Sequence, residues 1–201
     1  MSKGQIFVLS GPPGAGKSTV RQALLEKRPS LIYSVSFTTR QPRAGERDGV
    51  DYYFVTREEF LARHKQGEFA EYNQIFGNYY GTSRKTLQEA LDQGKEVLLD
   101  IDVDGAAILK MKFPGGVFIL LVPPSRQELE RRLRGRGTED EAQVEERLAR
   151  VAYELGSVGG YDYLICNDRL DEAVDGVLTI IKAESYRTKL SADDLLQQFA
   201  F

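Results

Sequence analysis

The sequence predicts an α/β fold in which a parallel sheet carries helices on both faces. The first observation is a set of apolar runs without alternation: QIFVLS (5–10), EVLLDID (96–102), GVFILLV (116–122) and YLICN (163–167). Such runs read as strands buried on both sides. The second is that each run is followed by a stretch with helical spacing, and strand–helix alternation builds a parallel sheet. The third is the glycine-rich GPPGAGKST (11–19), which separates the first strand from the first helix.

Taken in order, QIFVLS is followed by KSTVRQALLEKR (17–28), with Val20, Leu24 and Leu25 at helical spacing. Residues 34–81 then interrupt the pattern. DYYFV (51–55), EFAEYNQIF (68–76) and a Gly77-Asn78-Tyr79-Tyr80-Gly81 turn read as antiparallel strands around one short helix over 57–66, capped by Thr56 and Glu59. The core strands resume afterwards, so this region is an inserted lobe. Ser125 and Glu128 form a capping box that starts a helix after GVFILLV, and Thr138 with Glu141 starts another after GRGT (135–138). The 191–201 tail, SADDLLQQFAF, places Leu195, Leu196, Phe199 and Phe201 at roughly helical spacing, suited to packing on the core or on another subunit. The expected organisation is one domain. Its core covers about 1–33, 82–134 and 148–186, with a lobe at 34–81, a separate segment at 135–147 and a tail at 187–201.

Composition narrows the class. Hydrophobic content of 41% and charged content of 28% are ordinary for a soluble globular chain. A net charge of −3 argues against a broad nucleic-acid surface, which would want a basic excess. The one cysteine, Cys166, excludes an internal disulfide and suits an intracellular protein; within YLIC it reads as a small buried hydrophobe. MSKGQIFVLS turns polar too soon for a signal peptide, and no apolar run approaches the ~20 residues that span a bilayer. The expected location is the cytoplasm, with no membrane partner. Monomer and homo-oligomer both stay open.

The chemistry starts at residues 11–19. Glycine, four residues, glycine, lysine and serine, placed after a buried strand and opening a helix, form a phosphate-binding loop. Gly11, Pro12, Pro13, Gly14, Ala15, Gly16, Lys17, Ser18 and Thr19 would therefore make the ATP site. Backbone N–H groups around Gly14 to Ser18 can face phosphate oxygens, Lys17 adds a cation for the β and γ phosphates, and Ser18 offers its hydroxyl to Mg²⁺. Asp100, ending EVLLD, is the candidate to hold that metal. If the strand continued, Asp100, Asp102 and Asp104 would share one face and want a cation between them.

A second anion site is expected in SVSFTTRQPRAGERDGVDYYF (34–54). Arg40 and Arg43 supply forked, permanent cations, and Ser36, Tyr52 and Tyr80 supply hydroxyls, so the anion fits a monophosphate. Glu71, followed by Thr82 and Ser83, suits guanine. A carboxylate only accepts, so it matches the N1 and N2 donors, while Thr82 or Ser83 donates toward O6 or N7. Adenine would set its N1 lone pair against that carboxylate.

From about Gln5 to about Lys182 the sequence resembles the guanylate kinases, within the nucleoside-monophosphate kinases. The motifs that carry the resemblance are SFTTRQPRAGE with GVDYYFV, EFAEYNQIFGNYYGTS, LLDIDVDGA and PPSRQELERRLRGRGTEDE. It implies a P-loop parallel sheet flanked by helices, an inserted mixed α/β lobe that binds GMP, and a helical lid at 135–147. By that resemblance Ser36, Arg40, Arg43, Tyr52 and Tyr80 would hold the GMP phosphate, and Glu71, Thr82 and Asp102 the guanine. Arg132, Arg136 and Arg147 would close on the transferring phosphate, and Asn167 would lie near the adenine of ATP. The chain departs from the family pattern at Phe37, where a small hydroxyl residue is usual, and at Asp104, where glutamine is usual. The implied activity is phosphoryl transfer from ATP to GMP with Mg²⁺. The rivals are a related ribose bisphosphate kinase and a non-catalytic scaffold module.

Overall fold

The computed structural model describes residues 4–135, 141–187 and 196. Along the chain run β1 (Gln5–Ser10), α1 (Lys17–Lys27), β2 (Ile32–Tyr33), β3 (Ser36–Thr38), β4 (Tyr52–Phe54) and α2 (Arg57–Lys65). They are followed by β5 (Phe69–Ile75), β6 (Asn78–Ser83), α3 (Arg84–Asp92), β7 (Glu96–Asp100), α4 (Val103–Lys112) and β8 (Val117–Val122). The last elements are α5 (Arg126–Arg134), α6 (Glu141–Gly156), β9 (Tyr163–Cys166) and α7 (Leu170–Ser185).

One sheet has the order β2-β7-β1-β8-β9, and its pairs are parallel. Alternate residues of β1 point to opposite faces: Phe7 and Leu9 enter a core with α1 and α7, while Ile6 and Val8 enter one with α3 and α4. With both faces covered, the strand has no wet side, and that explains its unbroken apolar run. The edge strand differs. Leu164 is 55% exposed and Cys166 is exposed, correcting the expectation that YLIC is a buried strand and its thiol a core residue. Tyr163 and Ile165 pack against the core that α7 covers, and Leu164 and Cys166 point the other way.

The second sheet, β4-β3-β6-β5, lies within residues 36–83. Its β5–β6 and β3–β6 pairs are antiparallel as expected, but β3 and β4 pair in parallel. Of the Gly77–Gly81 stretch read as a turn, Asn78 to Gly81 belong to strand β6; the turn proper is Phe76-Gly77. Phe60 of α2 stacks on Phe69 and Tyr79, giving this sheet its own aromatic core. Helix starts follow local chemistry. The hydroxyls of Thr56, Ser83 and Ser125 accept the backbone N–H of Glu59, Thr86 and Glu128 respectively. Arg136, Thr138 and the tail residues Leu195, Phe199 and Phe201 lie outside the described residues. Among the described residues no helix is long and apolar enough to cross a membrane.

Candidate active site

A cleft of about 400 Å³ opens where the two sheets meet. Its first wall is the turn between β1 and α1. Gly11 (φ 146°) and Gly16 (φ 92°) adopt left-handed conformations, and added Cβ atoms would lie 2.0 Å from the Leu121 carbonyl oxygen and 2.3 Å from Asn167 Nδ2. Helix α1 starts at Gly16 with no side-chain cap, unlike α2, α3 and α5. Its first N–H groups are left for an anion, which the helix dipole favours. Lys17 Nζ donates to the carbonyls of Gly11 (2.5 Å) and Pro12 (3.5 Å), folding the cation over the loop.

Asp100 ends β7 beside this loop. Withdrawal from water pushes its carboxyl up, and the charges of Lys17 and Arg21 oppose that. Ser18 and Asp100 both line the cleft. The expected row of Asp100, Asp102 and Asp104 on one strand face does not form, because β7 stops at Asp100. Asp102 instead caps α4, its Oδ1 accepting the N–H groups of Asp104 (2.9 Å) and Gly105 (3.2 Å). Asp104 turns to α6, accepting from Arg150 (2.7 Å) and Tyr153 (2.6 Å). Burial opposes the ionised form of Asp104, but the bonds from Tyr153 and Arg150 outweigh it and hold the carboxyl below its usual range.

The opposite wall is the second sheet. Ser36 is buried on β3 beside Tyr52 of β4, and the Tyr52 and Tyr80 rings meet edge to face at 6.0 Å. Burial pushes the Tyr52 phenol up, so it stays a donor. Arg40 lies over the Tyr52 ring at 5.4 Å and is clamped by Glu46 through bonds of 2.8 and 3.0 Å. Glu46 also accepts the backbone N–H of Arg43 at 2.8 Å.

At the floor stands Glu71, 3% exposed. Its Oε1 accepts the Thr82 hydroxyl at 2.5 Å, and its Oε2 would lie 2.7 Å from a Cβ on Gly105. The bare Gly105 therefore lets the carboxylate approach α4. Burial pushes Glu71 up to about 7, the charge of Asp102 adds to this, and the Thr82 bond opposes it. Asn73 donates to Asp102 (2.9 Å) and Asp104 (3.2 Å), tying β5 to the start of α4.

The cleft brings together Gly11, Pro12, Pro13, Gly14, Gly16, Lys17, Ser18, Thr19, Ser36, Arg40, Arg43, Tyr52, Glu71, Tyr80, Asp100, Asp102 and Arg147. Other expected residues stand one layer back. Thr82 is fully buried behind Glu71, and Asn167 donates to the Ala15 carbonyl at 2.7 Å, bracing the loop from behind. Arg132 bonds Glu128 (2.7 Å) and the Asn167 carbonyl (2.9 Å). Ser83, the alternative to Thr82, is the cap of α3. Arg21, Glu46, Asp51 and Glu154 also line the cleft and were not expected there. Arg21 joins Asp51 at 3.0 Å and stacks on Tyr33 at 4.3 Å. Glu154 pairs with Arg150 at 2.7 Å, an i,i+4 spacing that in a sequence looks like an ordinary surface pair.

A family model described as guanylate kinase matches residues 3–184. The guanylate kinase of Oceanobacillus iheyensis is 50% identical over 182 residues, covering 90% of this chain and 88% of that protein. That of Desulfitobacterium hafniense is 48% identical over 186 residues, covering 92% and 93%. Among solved structures, guanylate kinase from Anaplasma phagocytophilum superposes with a TM-score of 0.83 at 39% identity, covering 98% of this chain and 95% of that one.

Proposed function

The chain belongs to the guanylate kinase family and transfers the γ-phosphoryl group of ATP to GMP, giving ADP and GDP; we propose that it does so through the cleft between its two sheets. The observation that carries the assignment of roles is Glu71, a buried carboxylate on the floor of the cleft whose wall is the glycine loop.

ATP lies with its phosphates along Gly11–Thr19, where the uncapped start of α1 and the loop N–H groups face the oxygens. Lys17 exchanges the Gly11 and Pro12 carbonyls for the β and γ phosphates. Asn167 and Arg132 act from behind, keeping the loop in shape. The GMP phosphate is held by Ser36, Arg40, Arg43, Tyr52 and Tyr80. Glu71 accepts from the guanine N1 and N2 donors while Thr82 steers its carboxylate, and Asp102, held by the α4 N–H groups and Asn73, presents a second acceptor nearby.

Ser18 and Asp100 suit Mg²⁺ as a hard oxygen donor set at the phosphate end of the cleft. When bound, the ion neutralises charge on the β and γ phosphate oxygens. The acceptor is a phosphate oxygen already ionised near neutral pH, so the protein's task is alignment and charge neutralisation. Arg147 supplies a cation to the cleft from α6, and Arg136, expected to act with it, lies outside the described residues. The substrates, together with a lone unbridged Cys166, support a place in the cytoplasm.

An ADP-release assay with GMP, AMP, UMP and dTMP tests this reading. Turnover with GMP far above the others is expected, and equal rates with AMP would overturn the role of Glu71.

A further inference from the structure

Arg21 and Asp51 line the cleft but belong to neither proposed phosphate site. Arg21 lies on α1, one turn after Lys17, so the two side chains leave the same face of that helix. Asp51 comes from the other wall, where it immediately precedes β4 and Tyr52. Their ion pair at 3.0 Å therefore crosses from the helix that follows the glycine loop to the lobe that carries the acceptor residues.

The pair is fixed in direction as well as distance. Side-chain exposures of 10% and 24% put it largely out of water, where stranding either charge would be costly. The Arg21 guanidinium stacks on the Tyr33 ring of β2 at 4.3 Å, and the Tyr33 hydroxyl donates to the Asp51 carbonyl at 3.4 Å. Asp51 Oδ2 accepts the Arg47 N–H at 3.0 Å, while Oδ1 accepts from Arg21. Arg21 and Tyr33 thus grip one lobe residue by its side chain and by its backbone. Strand β4 is an outer strand of its sheet, and the opposite outer strand, β5, is tied to α4 by Asn73. The lobe is braced at both edges.

Tyr52 follows Asp51 in the chain, and Arg40 lies over the Tyr52 ring at 5.4 Å. A shift of Asp51 would carry both away from Lys17. We propose that Arg21 is a positioning residue: through Asp51 it sets the spacing between Lys17 at the donor phosphates and Tyr52 at the acceptor phosphate. The inference rests on the reading of Tyr52 as a GMP phosphate contact. Transfer depends on the alignment of two bound substrates, so losing the brace falls on turnover and spares the binding of each nucleotide.

The test combines steady-state kinetics with calorimetric titration of ATP and of GMP. The variants are Arg21→Met, Arg21→Lys, Asp51→Asn, the Arg21→Met/Asp51→Asn double variant and Tyr52→Phe. Arg21→Met should lower kcat roughly 10- to 100-fold, the loss that a misplacement of about 1 Å brings, with each nucleotide's Kd within about 3-fold of wild type. Arg21→Lys keeps the charge without the planar stack and should recover part of the loss. The double variant strands no charge, so it keeps the test open if Arg21→Met does not fold, and its kcat should equal that of the more impaired single variant. A wild-type kcat in the double variant, or losses that multiply, would overturn the brace. A lowered melting temperature with undiminished kcat would reduce the pair to a structural contact and overturn it too. If Arg21 instead served the metal end directly, through its charge on Asp100, Asp51→Asn would leave kcat unchanged, which also defeats the proposal. Tyr52→Phe should weaken GMP and leave ATP alone; unchanged GMP binding would overturn the reading of Tyr52, and the proposal with it.

Discussion

The two ends of the cleft proposed to hold the donor and the acceptor are built by different means. The donor end is made of backbone: a loop whose glycines admit no side chain, and a helix start without a cap. The acceptor end is made of side chains that already satisfy one another, Arg40 with Glu46 in the loop between β3 and β4 and Glu71 with Thr82 across β5 and β6. A backbone site is a fixed receptor, whereas a side-chain site must trade internal bonds for ligand bonds. The first resists change at any atom; the second can be retuned one residue at a time.

Lys17→Met should separate the two ends most sharply. It keeps side-chain length but removes the charge proposed to meet the β and γ phosphates. The expected fall in kcat is about 10³-fold with an unchanged circular dichroism spectrum, since removing one preorganised electrostatic donor costs on this order. A folded variant with near-normal turnover would remove the lysine from the mechanism.

At the acceptor end the largest effect belongs to Glu71→Gln. The amide would set a donor against a guanine donor, at roughly 1–3 kcal/mol for each unpaired group, so kcat/KM for GMP should drop by about 10²-fold. The ratio of kcat/KM for GMP over AMP measures this, and an unchanged ratio would move base reading elsewhere. Arg40→Ala should weaken GMP by roughly 10-fold, the low end for a charge-assisted bond, because Glu46 already holds Arg40 before GMP arrives. Calorimetric titration with each nucleotide decides it: a matching loss for ATP would erase the division of the cleft.

The effect on stability is separate. A carboxyl raised in the fold contributes stability that is complete below its unfolded value, near ~4.3, and is lost as pH rises through its folded value. For Glu71 that window runs up to about 7. Glu71→Gln cannot ionise, so its stability relative to wild type should be greater at pH 8 than at pH 4, by about 1–3 kcal/mol. Denaturant melts at both pH values give the difference, and an equal gap would mean Glu71 is ionised without cost. GMP binding should also take up the ionised form and release protons below about pH 7, visible as buffer-dependent heats.

The same contrast governs what could be read from sequence. The donor loop follows from one local pattern, as do β1, β7 and β8, because burial on both faces leaves continuous apolar runs. The acceptor lobe was legible in its residues but less in its pairing: β3 and β4 have three residues each, too short to show a period, and they pair in parallel. The alternating aspartates misled because Asp102 caps a helix where a strand was expected to continue. Cys166 misled because YLIC looks the same in an interior strand and at an edge. Glu46, Arg150 and Glu154 carry no signal of their own, since their meaning lies in partners brought together by the fold.

The outward face of β9 has a practical side. Cys166 is the chain's one thiol, it is exposed, and the next residue, Asn167, is bonded to the loop carbonyl of Ala15. A maleimide dye would therefore attach at a single known position, one residue from the donor site. Its emission would report nucleotide arrival in real time, without any engineered cysteine.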